Sequence, residues 1–171
     1  DTLSLHDALP ILVVKDKRPF GFYVCCIAFM FERMSYYSAK YLIFFFVTAT
    51  LVTGGLGLTK FEAALIQSNL VAFTYLAPII GGYLSDKHIG ARYCVPVGLI
   101  FMAAGYIVGG FAANIVTMNT MVALVAIGTG LFKGNVSAIS GALFEDERQL
   151  DSAFSVQYSF INIGSFIGTT V

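Results

Sequence analysis

The chain has 171 residues, 57% of them hydrophobic and only 12% charged, and carries no formal net charge. Soluble domains are about 25% charged, so this composition excludes an ordinary water-soluble domain, and zero net charge removes the case for a nucleic-acid surface. Apolar runs of about 20 residues each, long enough to cross a bilayer, argue instead for an integral membrane protein.

Residues 1–12, DTLSLHDALPIL, do not fit the rest of the chain. They lack the basic start and long apolar core of a signal peptide and read as a foreign leader. Native sequence is expected from 13 onward, with Lys15, Lys17 and Arg18 in a cytoplasmic lead-in (13–19). Pro19 suits the start of a helix, where its missing N–H is no loss. The remainder, 20–171, divides into five apolar spans: 20–50, 62–84 with a kink expected at Pro78, 95–112, 119–143, and a fifth from 152 that is still apolar at 171. The connections, 53–61, 85–94, 113–117 and 144–151, leave no room for a soluble domain. The predicted fold class is therefore all-α, a polytopic transmembrane helix bundle. With the N-terminus inside, Lys15, Lys17, Arg18, Lys87, Arg92 and Arg148 fall on the cytoplasmic side and Lys60 outside, as the positive-inside rule requires.

Charges inside the first span are the strongest functional signal. Glu32, Arg33 and Lys40 interrupt an apolar run, each at a cost of about 2.5–3.5 kcal/mol at mid-bilayer. On a helix, positions 29, 32, 33, 36, 37 and 40 share one broad face, so Glu32, Arg33, Tyr36, Tyr37 and Lys40 form a polar stripe expected to face protein or a water-filled cavity. Lys133 in the fourth span lies between Gly130 and Gly134, a small-xxx-small pair expected to bring its backbone, and hence its ammonium, close to that stripe. Gly105/Gly109 and Gly164/Gly168 repeat the spacing. One intramembrane acid against three bases leaves a positive excess that attracts an anionic group such as a carboxylate. The competing reading is a structural ion pair between Glu32 and one base, which accounts for one cation of the three.

Other chemistry has little foothold. Cys25, Cys26 and Cys94 lack metal-ligand spacing and read as packed thiols. His6 lies in the leader and His88 in a loop, and no nucleophile–base pair, metal cluster or phosphate loop is visible. No enzyme activity, metal or cofactor is expected. Tyr75 adds a hydroxyl to the second span, and Asn162, in the fifth, is expected to hydrogen-bond across helices.

Several motifs occur in register. The second connection, GGYLSDKHIGARY, resembles the loop signature of the major facilitator superfamily. ERMSYY at 32–37 resembles the first-helix E-x-x-E-R-(F)-S-Y-Y-G motif of the proton-dependent oligopeptide transporters within it, GTGLFKGNVS at 128–137 their fourth-helix motif, and RQLDSAF at 148–154 with FINIGSF at 160–166 their entry to the fifth helix. The resemblance covers 18–171 and implies the first five of about twelve helices in an N-terminal bundle, whose C-terminal partner bundle lies outside these residues. It implies import of di- and tripeptides with protons by alternating access, in a plasma membrane of bacterial type. It further implies that Arg33 and Lys133 bind the peptide carboxylate or exchange ion pairs, that Tyr36, Tyr37 and Tyr75 line the peptide site, and that Asn162 is a polar contact. Lys40 stands where the family usually has arginine, keeping charge without the planar grip on a carboxylate. Asp86 and Arg92 are implied to form a cytoplasmic gate contact, and Glu32 with Lys133 to carry proton coupling.

Three positions depart from the pattern: Phe29 replaces the first glutamate, Ser38 the glycine after the tyrosines, and Gly134 the proline after the lysine. Phe29 leaves Glu32 to do the work of two acids. Two other readings stay open on the same residues: the same fold carrying another anionic or amino-acid substrate, or an incomplete membrane protein that transports nothing.

Overall fold

The computed structural model describes residues 18–144 and 147–170. The expected leader, Lys15, Lys17 and the Arg148 side chain lie outside the described residues. Five α-helices account for almost all of the described chain: α1 (Phe20–Thr48), α2 (Lys60–Leu84), α3 (Ala91–Gly110), α4 (Ile115–Ala142) and α5 (Glu147–Thr170). At 1.5 Å per residue even the shortest is about 30 Å long, a bilayer's hydrocarbon thickness. Among the described residues, Lys60–Ile89, Ala91–Gly110 and Ile115–Ala142 are long and apolar enough to cross a membrane by composition alone. Helix α1 is long enough but carries Glu32, Arg33 and Lys40, and α5 is rich in serine, threonine and amides.

Helix α1 starts at Phe20 as expected, whereas α2 to α5 start earlier than the hydropathy suggested, and for α2 and α4 capping rather than apolar character sets the start. Thr59 and Glu62 close a capping box that starts α2, and Asn114 with Thr117 does the same for α4 four residues before the expected start. The second connection is no open loop. Ser85–Ile89 continues α2 as a π-helical turn that ends at Gly90, whose φ of +84° lets α3 begin at Ala91. The connection after α1 folds back on its own helix end: Leu56 and Leu58 donate backbone N–H bonds to the carbonyls of Phe46 and Val47, at 3.2 and 3.0 Å. Those carbonyls would otherwise be orphaned.

Helix α4 is the structural axis. It packs against α2 on one side and α3 on another, while α5 packs on α1. Backbone-to-backbone approach makes these seams. A Cβ on Gly130 would overlap the Ala77 carbonyl of α2, one on Gly128 would overlap Gly98 of α3, and ones on Gly164 and Gly168 would overlap the Met30 and Met34 carbonyls of α1. Two of the three expected glycine pairs thus act as pairs. The third does not, since Gly134 faces open space and only Gly130 makes the approach. Lipid tails are as apolar as the helix surfaces, so such helices associate through close packing and interhelical hydrogen bonds. Such bonds include those from Ser140 to the Gln157 side chain at 2.6 Å and from Ser38 to the Gly168 carbonyl at 3.1 Å. At one end of the bundle Arg18 donates to Ser152 at 2.8 Å, placing the starts of α1 and α5 side by side.

Candidate functional site

The polar stripe on α1 exists, and it faces protein. Phe29, Glu32, Arg33 and Tyr36 are buried, and Tyr37 and Lys40 half-buried. Residues one apart on a helix do not face each other, yet the Glu32 and Arg33 side chains wrap together into a two-pronged pair. Arg33 Nε and Nη2 donate to the two Glu32 carboxylate oxygens at 2.5 Å each. The guanidinium also lies 4.8 Å from the Tyr36 ring centroid, and Tyr36 meets Tyr37 edge to face. Arg33 is therefore held in its plane by a carboxylate and on its face by an aromatic ring. The structural-pair reading is correct for this one cation.

Lys133 has different surroundings. It is half-buried, and its Nζ sits 5.2 Å from the centroid of the Tyr75 ring on α2. Among the described residues no carboxylate pairs with it: the ion pair there is that of Glu32 with Arg33. No described hydrogen bond or ion pair joins Lys133 to the α1 stripe, so the expected close approach brings no direct partner from α1. Gly130, seated on Ala77, fixes how near the Lys133 and Tyr75 backbones come.

An apolar contact also joins α1 and α4. The Phe29 ring meets Phe132 edge to face at 5.4 Å, and both are buried with Met102 and Val136. The position that departs from the acidic motif is thus a packing residue that pins α1 to α4 one turn from Arg33.

The remaining expected residues scatter. The Lys40 carbonyl accepts a bond from Gln67 of α2 at 3.1 Å, and its ammonium finds no carboxylate among the described residues. Asn162 is exposed and makes no described hydrogen bond, contrary to the expected bond across helices. The fifth helix turns Gly164 and Gly168 toward α1, which directs Asn162 away from that seam. Asp86 and Arg92 are both exposed and form no described ion pair with each other, because the π-turn and Gly90 separate them. Lys87 instead bonds the Tyr83 hydroxyl at 3.0 Å.

Tyr106 of α3 was not singled out by sequence. It packs against both the cluster holding Tyr36 and the one holding Phe29, so it touches the packing on either side of the buried ion pair. Its one legible signal is a phenol in mid-span next to Gly105, the reasoning applied to Tyr36.

The profile of the Major Facilitator Superfamily matches residues 23–171. The chain is 34% identical over 155 residues to the uncharacterized transporter YclF of Bacillus subtilis, covering 90% of this chain and 31% of that one. It is 33% identical over 153 residues to dipeptide and tripeptide permease A of Proteus mirabilis, covering 88% and 30%. A crystal structure of the peptide transporter POT in complex with sulfate superposes with a TM-score of 0.85 at 32% identity, over 90% of this chain and 31% of that one. A POT family transporter in complex with 5-aminolevulinic acid superposes with a TM-score of 0.82 at 29% identity, over 88% and 31%. The chain spans roughly a third of the length of the curated relatives it matches.

Proposed function

We propose, for a chain that belongs to the Major Facilitator Superfamily and within it to the peptide transporters of the POT family, that it supplies the first five helices of a proton-coupled carrier of di- and tripeptides. Residues 20–171 form part of its N-terminal bundle, 13–19 its cytoplasmic lead-in, and the N-terminus lies inside. The reading rests most on one observation: Lys133 is a half-buried cation against an aromatic ring, with no carboxylate partner among the described residues. A cation held in an apolar bundle without its counter-charge favours an arriving anion.

In this reading the peptide carboxylate meets Lys133, with Tyr75, Tyr36 and Tyr37 along the same wall, and Lys40 and Asn162 as outlying contacts. Arg33 becomes available only when Glu32 lets go. A proton on Glu32 removes the charge that grips the guanidinium, leaving Arg33 to seek another carboxylate, so proton and peptide enter together. Asp86 and Arg92 gate the cytoplasmic end against the second bundle.

The test is uptake of a labelled dipeptide by the full-length carrier in proteoliposomes, with and without an inward proton gradient. Uptake that rises with the gradient is expected, and no dipeptide uptake at any pH would contradict the reading. The 5-aminolevulinic acid bound to a POT family relative favours a second reading, a small amino-carboxylate as cargo. Competition separates the two, since a peptide carrier prefers a dipeptide over its component amino acids.

A further inference from the structure

Glu32 and Arg33 are neighbours in sequence, but they begin different faces of α1. Residues three, four and seven apart share a helix face. Tyr37 and Lys40 continue the face of Arg33, Ser35, Ala39 and Leu42 continue that of Glu32, and Tyr36 lies between them. The residues on the Glu32 side line a cleft of about 620 Å³, and Tyr106 and Gly109 of α3 line it from the other side. The α3–α4 seam fixes Tyr106 there. A Cβ on Gly105 would overlap Val125, and one on Gly109 would overlap Met121, so α3 sits close on α4 on both sides of the tyrosine. Its ring packs against two clusters, one holding Phe29 and one holding Tyr36. These stand three residues before and four after Glu32, so the two clusters flank the turn that carries the acid. No described hydrogen bond engages the hydroxyl of Tyr106 or of Ser35. Both carboxylate oxygens of Glu32 are taken by Arg33.

From this arrangement we infer that Tyr106 is a positioning residue for proton coupling: its phenol oxygen accepts the hydrogen bond of the Glu32 carboxyl once a proton has displaced Arg33. The inference rests on the reading of Glu32 as the proton site. The proton comes from solution and stays on the carboxyl, Tyr106 keeps its own proton, and Arg33 leaves still charged. A protonated carboxyl carries one donor, and a buried donor without an acceptor is costly. The other charged or titratable groups around Glu32 are Arg33, Tyr36, Tyr37 and Lys40 on α1, and Lys133 with Tyr75 at the α2–α4 seam. Helix α5 meets α1 through Gly164 and Gly168. Arginine and lysine offer donors only, and Tyr36 is engaged by the guanidinium and by the Tyr37 ring. Tyr106 is the phenol on the acid's own side of α1.

The experiment measures dipeptide uptake against pH for the full-length carrier in proteoliposomes, as wild type, Tyr106→Phe and Tyr106→Leu. For Tyr106→Phe the midpoint of uptake is expected about 0.7 unit lower in pH, about a fivefold weaker proton affinity, with the plateau at low pH largely kept. Tyr106→Leu also loses the ring's packing and is expected to show the same shift with a lower plateau. If Tyr106→Leu fails to fold, Tyr106→Phe, which keeps the ring, carries the test alone. An unchanged midpoint in Tyr106→Phe makes the residue a packing element and overturns the inference, and so does a fall in plateau without a shift. A second readout does not need transport. Infrared difference spectra on acidification give the carbonyl band of protonated Glu32, assigned by its loss in Glu32→Gln. Loss of the hydrogen bond is expected to move that band to higher frequency in Tyr106→Phe. An unmoved band overturns the inference even if peptides are carried, and absence of the band overturns it together with the reading of Glu32 as the proton site. A band that responds to Tyr106→Phe in a carrier without dipeptide uptake upholds the inference and contradicts the peptide reading alone.

Discussion

Arg33 and Lys133 are both cations within the helix bundle, and their neighbourhoods are opposites. Arg33 is buried, paired with an acid on its own helix and covered by Tyr36. Lys133 is half-buried and rests on a ring contributed by another helix. The difference teaches that intramembrane charge has two uses here. Glu32 and Arg33 pair within α1 itself, whereas Lys133 lies at the α2–α4 seam without a carboxylate partner among the described residues and, in the proposed reading, receives an anion. A count of one acid against three bases could not tell these apart.

Changes at Glu32, at Phe29 and at the Gly130/Gly134 pair probe that contrast. Glu32→Gln strips the acid and leaves Arg33 buried without its partner, which costs about 3–5 kcal/mol. Thermal unfolding in detergent should show the loss, and the double change of Glu32 and Arg33 to glutamine should recover most of it. If the single change is harmless, Arg33 has another partner and the neighbourhoods are alike. Phe29→Ala opens a cavity between Phe132, Met102 and Val136, at a cost of about 3 kcal/mol. Restoring the acid of the family motif with Phe29→Glu should destabilise similarly, unless Lys133 turns to meet it, and a crystal structure would show which. Gly134→Ala should change stability by less than about 0.5 kcal/mol, since a Cβ there meets nothing. Gly130→Ala should be far worse, because its Cβ would overlap the Ala77 backbone.

Much of this was legible in the sequence. Five apolar runs gave the helix count, and the 100° geometry of α1 gave the buried stripe, because both follow from backbone periodicity alone. The family motifs and their order pointed to the transporter fold. Helix starts were missed by up to five residues, since Thr59, Asn114 and Gly90 set them through caps and dihedral angles that hydropathy does not weigh. The pairing of Glu32 with its immediate neighbour was hidden because adjacent residues point apart on an ideal helix, and long side chains can defeat that rule. Asn162 and the Asp86–Arg92 contact were carried from motif resemblance, and which way a side chain faces depends on packing the motif does not encode. Gly134 shows the same limit, since spacing marks where close approach is possible and the neighbour decides where it occurs.

The central claim is that Lys133 is the cation awaiting the substrate carboxylate. The most direct measurement compares wild-type and Lys133→Gln full-length carriers for binding of a dipeptide and of its C-terminal amide. The account predicts that Lys133→Gln weakens dipeptide binding about a hundredfold and leaves amide binding within twofold. Equal weakening of both ligands, or unchanged dipeptide binding, would contradict it.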